Sequence, residues 1–258
     1  MTSRPQPPKV ARQTATMLYK TNFFDVTYEA KFRAPLFVLA GTPVVILEAV
    51  HGRLSPKYAL APSDLVVDSG RSVGDVHSRI NLFAGNGSLD IRADVFTAKF
   101  TNPNAPGDLD TIEDCIQLTI EALATVGGSK FAVQEEILGG RMFIELLDSS
   151  TNVTELLRGL FNRSDLFAAP AGKRHAEAIP GFHIEFVENE EKWTFNFDLT
   201  RAIRSSKELF FSTSTQFREG GAFSALKEKI EHAVNLTKEV LKRAGLEPQK
   251  QPQPSSKS

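Results

Sequence analysis

The fold is decided by residues 181–201, which read GFHIEFVENEEKWTFNFDLTR. In its second part, residues 193–199, one tryptophan, two phenylalanines and a leucine alternate with polar residues. A period of two is the pattern of a β-strand with one buried and one solvated face. Residues 182–186 alternate in the same way, and the polar run between the two parts is typical of a turn. The stretch therefore predicts two neighbouring antiparallel strands.

The same reasoning predicts strands elsewhere in the chain. Residues 26–33 and 209–217 alternate between apolar and polar side chains, and the apolar runs at 44–50 and 64–68 predict two further strands. Residues 78–95 predict a hairpin, because an Asn-Gly step, which tolerates the positive φ of a tight turn, separates two alternating runs. A second hairpin is predicted across Gly139-Gly140, which also separates two apolar runs.

Helical periodicity takes over in three segments. Residues 108–127 carry apolar side chains at spacings of three and four, begin with acidic residues and end in a glycine pair. Residues 222–244 repeat this pattern and are followed by Gly245, a typical helix stop. Residues 153–161 predict a shorter helix.

These elements predict an α+β protein of two antiparallel β-meanders, each followed by a long amphipathic helix. The halves span 21–127 and 128–246, and their similar order of elements indicates an internal duplication, with the two sheets joined into one. The ends, 1–20 and 247–258, are rich in Pro, Gln, Ser and Lys and lack apolar periodicity, so they are predicted to be disordered tails, the first of them basic.

Composition narrows the class of protein. The formal net charge is -1 and the charged residues are dispersed, which argues against binding to bulk nucleic acid. The sequence contains neither an export signal nor an apolar stretch long enough to span a membrane. A single cysteine, Cys115, cannot form an internal disulfide, so a reducing compartment, the cytoplasm, is predicted.

No motif of the sequence indicates a catalytic site, a metal site or a cofactor. The five histidines lack the spacing of metal ligands, and Cys115 lies between apolar helical positions, where a thiol usually fills the core. The glycine pairs lack the lysine and hydroxyl residue of a phosphate-binding loop. We therefore predict neither catalytic residues nor a bound cofactor.

Two functions from different classes remain. The first is a non-catalytic interaction module that binds a protein partner or a second copy through strand edges and a polar sheet face, formed by Thr27, Lys31, Thr194, Asn196, Ser212 and Ser214. The alternative is a small-molecule binder or enzyme with a phenylalanine-lined cavity between a curved sheet and the C-terminal helix. Candidate ligand-binding residues for it are His183, Trp193, Arg201, Arg204 and Lys207, because clustered basic groups can hold an anion. The absence of a catalytic motif favours the interaction module.

Overall fold

This computed structural model describes residues 17–68, 72–102, 108–148, 152–160, 181–188, 192–202 and 207–249. The strands are β1 Met17–Phe32, β2 Leu65–Asp68, β3 His77–Leu82, β4 Gly87–Ile91, β5 Val95–Thr101, β6 Val133–Leu146, β7 Gly181–Glu188, β8 Trp193–Arg201, β9 Glu208–Arg218 and β10 Leu246–Pro248. The helices are α1 Phe37–Gly41, α2 Pro43–Leu54, α3 Asp108–Gly127, α4 Val153–Leu160 and α5 Leu226–Arg243.

All ten strands belong to one sheet, so the strands of the two predicted halves are joined. The order is β2-β3-β4-β5-β1-β6-β9-β8-β7, and every neighbouring pair in it is antiparallel. The short β10 pairs in parallel with the start of β1. The chain is thus a mixed α+β protein built on a large antiparallel sheet.

The helices pack against a single face of this sheet. One apolar cluster joins strand residues such as Tyr28 and Ile80 to helix residues such as Ile46 and Ile116. A second cluster joins residues of β8 and β9 to α4 and to the end of α5. The opposite face, which we call the open face, is formed by the alternate strand residues and is mostly polar. Alternation along the strands thus separates the core from the solvent.

Several predicted elements are confirmed. Helix α3 covers the predicted 108–127, and β7, β8 and β9 lie where alternation predicts strands. The predicted hairpin of β3 and β4 is present, but its turn is residues 83–86, with positive φ at Phe83, Ala84 and Gly85 rather than at the Asn-Gly step, and Gly87 already pairs with Leu82. Helix α4 begins at Val153 as predicted, and α5 begins at Leu226 rather than at 222.

The predicted strand at 44–50 is wrong, because this segment belongs to helix α2. Pro43 stands at the first turn of that helix, where the missing N–H needs no partner. The buried residues of α2 are Ile46, Leu47, Val50 and Leu54, at spacings of one, three and four, so the run of β-branched residues follows a helical period.

The predicted hairpin across Gly139-Gly140 is also wrong. Both glycines lie in the middle of β6, which runs unbroken from Val133 to Leu146 and pairs with β1 and β9 on its two sides. A Cβ at Gly139 would lie 2.5 Å from Thr27 Oγ1. The glycine therefore marks a close approach of neighbouring strands rather than a turn.

Both ends of the described chain are more ordered than the sequence predicts. Strand β1 begins at Met17, inside the predicted tail 1–20, and β10 extends to Pro248, inside the predicted tail 247–258. The start of β1 and β10 form backbone hydrogen bonds with each other. Tyr19 of β1 and Leu246 of β10 are buried in the same apolar cluster as the end of α5. Residues 1–16 and 250–258 lie outside the described residues.

Candidate functional site

A cavity of about 590 Å³ lies between the sheet and helix α5. Strands β1, β6 and β9 form its floor, α5 and the start of α3 form its roof, and β10 borders one end. Its lining is largely apolar and includes Phe24, Val26, Leu138, Met142, Phe211, Ile230, Ala233, Val234 and Leu241. Volumes of about 300–1,000 Å³ with this kind of lining are typical of small-molecule sites.

The strand register explains why the floor has room. Val26, Gly140 and Thr213 lie side by side across β1, β6 and β9 and form a row of short side chains. The next row towards the end of β6 is bulky, with Phe24, Met142 and Phe211 side by side. A Cβ at Gly140 would lie 3.3 Å from Thr213 Oγ1, so a larger residue would fill the depression.

Three hydroxyl groups line the cavity, and that of Thr237 donates to the backbone oxygen of Ala233. The other two, those of Tyr19 and Thr213, have no side-chain hydrogen-bond partner among the described residues and are available to a ligand. Burial raises the pKa of the Tyr19 phenol, so this group stays a neutral donor and acceptor at physiological pH. A few such groups in an apolar cavity can orient a ligand.

The cavity opens to solvent where its lining residues are exposed. These residues, which we call the mouth, are Leu109, Lys238, Lys242, Glu247 and Pro248. Lys238 and Lys242 lie one helical turn apart on α5, and so on the same side of the helix. The mouth therefore combines two ammonium groups with one carboxylate.

A buried polar group holds α5 against the sheet near the cavity. Glu136 of β6 accepts a hydrogen bond of 2.8 Å from the Tyr28 hydroxyl and forms an ion pair with Lys229 of α5. Lys229 is only 8% exposed and Tyr28 is fully buried. Burial and the nearby Glu136 carboxylate raise the pKa of Tyr28, so the phenol remains protonated. We call these three residues the anchor.

The six residues of the predicted interaction face all lie on the open face. Thr27, Ser214 and Asn196 occupy a single row across the sheet that also contains Gly139. Ser212 and Thr194 lie in the two adjacent rows, and Thr194 is 8% exposed. Lys31 donates a 2.7 Å hydrogen bond to Glu135.

The open face also contains features that the sequence analysis did not identify. Asp25 and Arg141 form a bidentate ion pair, with Arg141 Nε 3.1 Å and Nη2 2.5 Å from Asp25 Oδ2. Beside this pair the partly buried rings of Phe23, Phe143 and Phe210 form a ladder, with centroid distances of 5.8 and 5.0 Å. The pairing register aligns these residues, and the register cannot be read from the periodicity of single strands.

The residues predicted to bind a ligand do not form one site. His183 lies on the open face, 2.7 Å from Asp198, whereas Trp193 lies on the helix-covered face with its ring 4.7 Å from that of His232. Arg201 reaches Thr154 of α4 at 3.1 Å. Lys207 is exposed before β9, and Arg204 lies outside the described residues. None of the described four lines the cavity.

The cavity-lining residues were missed because nothing in the sequence shows which strands pair. The one sequence signal that points to the cavity is the i, i+4 pair Lys238 and Lys242 beside the apolar stripe of α5.

Cys115 is buried in α3, and burial raises the pKa of its thiol to about 11, as fits a core residue rather than a nucleophile.

Among the described residues, no helix is both long and apolar enough to cross a membrane. Within the same ranges, no three His, Cys, Asp or Glu side chains are grouped closely enough to hold a metal ion.

Comparison with known proteins adds little. No protein-family model matches the chain, and no curated protein matches it. The crystal structure of DynU16, a putative protein in the dynemicin biosynthetic locus, is 13% identical over 84% of this chain and 98% of its own, with a TM-score of 0.23. The apo structure of the immunity protein TplEi of T6SS from Pseudomonas aeruginosa is 10% identical over 84% and 93%, with a TM-score of 0.21. Likenesses this weak carry no argument about function.

Proposed function

We propose that this chain binds a small, largely apolar molecule in the cavity between the sheet and α5. The observation that carries this proposal is the depression in the floor of the cavity, where Val26, Gly140 and Thr213 leave space in a cavity that Ala233 of α5 also lines. Filling such a space with a ligand removes apolar surface from water, at about 25 cal/mol per Å². Apolar walls with two available hydroxyl groups favour a ligand with few polar atoms.

The test uses N-phenyl-1-naphthylamine, a neutral apolar molecule whose fluorescence rises when it leaves water. We expect saturable binding to the full chain. Ala233→Phe, which fills the cavity from α5, is expected to raise the dissociation constant about tenfold, equivalent to about 1.4 kcal/mol. Native mass spectrometry of the freshly purified protein would identify any molecule that co-purifies.

The matched control is Glu239→Phe on the same helix. Glu239 is 54% exposed and pairs with Arg243, so the added ring lies in solvent and leaves the cavity unchanged. Equal loss of probe binding in both variants, or no saturable binding to the unmodified chain, would contradict the proposal.

We further propose, as a second function, that the open face associates with a second copy of this chain. The phenylalanine ladder supports it, because three neighbouring, partly exposed rings with polar residues around them resemble the apolar centre and polar rim of an interface. In sedimentation velocity, we expect Phe143→Asp to shift a dimer to monomer, while Thr97→Asp, elsewhere on this face, leaves it intact. A monomeric unmodified chain would rule this function out.

The order of elements supports a third proposal, that the two halves descend from one duplicated unit. Each half begins with a strand at the centre of the sheet, β1 or β6, and ends with a long helix, α3 or α5. The last strand before that helix, β5 or β9, pairs with the first strand of its own half. The cavity lies where the halves meet, so both would contribute to the binding site.

A further inference from the structure

We infer that the ligand of the cavity is a single-chain amphiphile with an anionic head group, a long-chain carboxylate, whose head lies at Lys242 and Lys238. This inference rests on the proposed function and adds the chemical class of the ligand. It is carried by the position of two unpaired lysines at the mouth, by the acidic residues near one of them and by the length of the cavity.

Lys238 and Lys242 have no ion-pair partner among the described residues; Lys227 of α5 has none either, but it does not line the cavity. On the same helix, Lys229 pairs with Glu136 and Arg243 pairs with Glu239. The two lysines therefore present free ammonium groups at the entrance to an apolar cavity. A carboxylate held there would gain charge-assisted hydrogen bonds while its chain remains out of water.

The acidic residues nearby indicate which lysine matters more. Lys238 also borders a groove between α3 and α5 that is lined by Asp110, Glu113 and Glu231. These carboxylates repel an anionic head on that side of the mouth, whereas Lys242 does not line the groove. Glu247 is the acidic residue among those lining the cavity itself. We therefore place the main contact of the head group at Lys242.

The length of the cavity suits an extended chain. The α5 residues that line it run from Ile230 to Lys242, a distance of about 18 Å at the helical rise of 1.5 Å per residue. The other polar side chains that line the cavity, those of Tyr19, Thr213 and Thr237, carry neutral hydroxyls and so provide no second site for a charge. The head of the ligand is thus fixed at the mouth and its tail lies along α5.

The experiment compares tetradecanoate with tetradecan-1-ol, which have the same chain and differ in the charge of the head. Each displaces N-phenyl-1-naphthylamine from the full chain at submicellar concentration and low ionic strength. We expect the carboxylate to bind about fivefold more tightly than the alcohol, the size expected for exposed charge pairs. Lys242→Gln is expected to abolish this preference by weakening the carboxylate alone.

Lys227→Gln is the matched control, because Lys227 lies on α5 but does not line the cavity, and it should change neither affinity. Equal binding of the two molecules to the unmodified chain, or an equal loss of both in Lys242→Gln, overturns the inference and leaves the proposed function standing. If the naphthylamine probe binds but neither tetradecanoate nor tetradecan-1-ol displaces it, the inference is likewise overturned and the proposed function still stands. If the probe does not bind either, the proposed function fails.

Discussion

At the scale of single residues, the Asp25 and Arg141 pair joins two groups of very different exposure. The Asp25 side chain is 1% exposed and that of Arg141 is 51% exposed. Removing Arg141 leaves the buried carboxylate of Asp25 without a partner, whereas removing Asp25 leaves the solvated guanidinium of Arg141. The cost of the two substitutions should therefore be unequal.

We expect Arg141→Ala to lower the free energy of unfolding by about 3 kcal/mol, because it strands the buried Asp25 carboxylate. Asp25→Ala should cost less, about 1 kcal/mol, since the guanidinium can turn to water. Urea denaturation of both variants measures the difference. Equal costs would show that the carboxylate gains water once the arginine is gone.

At the scale of elements, the anchor holds α5 over the cavity. The ammonium group of Lys229 is the only charge in the anchor that comes from the helix, and it meets a carboxylate of the central strand β6. A buried ion pair of this kind contributes little net stability relative to apolar residues of the same size, but it is costly to break.

We therefore expect Lys229→Met to destabilise the chain by about 3 kcal/mol, because the Glu136 carboxylate, which is only partly exposed, is left unpaired with a cation. The double variant Glu136→Leu/Lys229→Met should recover most of this loss. Thermal or urea unfolding of the single and the double variant measures the difference in stability. A double variant as unstable as the single one would mean that the Tyr28 hydroxyl, which also donates to Glu136, dominates the anchor.

The elements that the sequence predicts correctly are those whose periodicity is uninterrupted. Helix α3 and strand β8 show a clean period over their whole lengths, so local pattern and tertiary burial agree. The segment 44–50 was misassigned because β-branched residues favour strands, although Pro43 and the spacing of Ile46 and Val50 indicate a helix. Gly139-Gly140 was misassigned because glycine serves close strand contacts as well as turns.

The site was less predictable than the fold, for a physical reason. A cavity between the sheet and the C-terminal helix was an alternative already indicated by the apolar content of the strands and α5. Its lining residues depend on long-range register, which places Val26, Gly140 and Thr213 side by side although they are far apart in sequence. The predicted ligand residues His183 and Trp193 face opposite sides of the sheet for a local reason, because His183 lies on the polar side of its alternating strand and Trp193 on the apolar side.

At the scale of the whole molecule, the two halves share a central ladder. Strand β1 pairs with β5 on one side and with β6 on the other, so neither half can unfold without exposing the backbone of the other. Trp193, the one tryptophan of the chain, packs against both apolar clusters. Its fluorescence therefore reports on the contact between them.

We expect the chain to unfold in urea in one cooperative transition, with the same midpoint by tryptophan fluorescence and by far-ultraviolet circular dichroism. Ile80→Ala in the first cluster and Leu209→Ala in the second truncate fully buried side chains, so each should cost about 3 kcal/mol. Because the clusters are coupled through β1 and β6, either variant should lower both midpoints together. Two transitions by circular dichroism, or a fluorescence midpoint that responds to only one of the variants, would show that the halves unfold independently and that the cavity between them can open without loss of the rest of the fold.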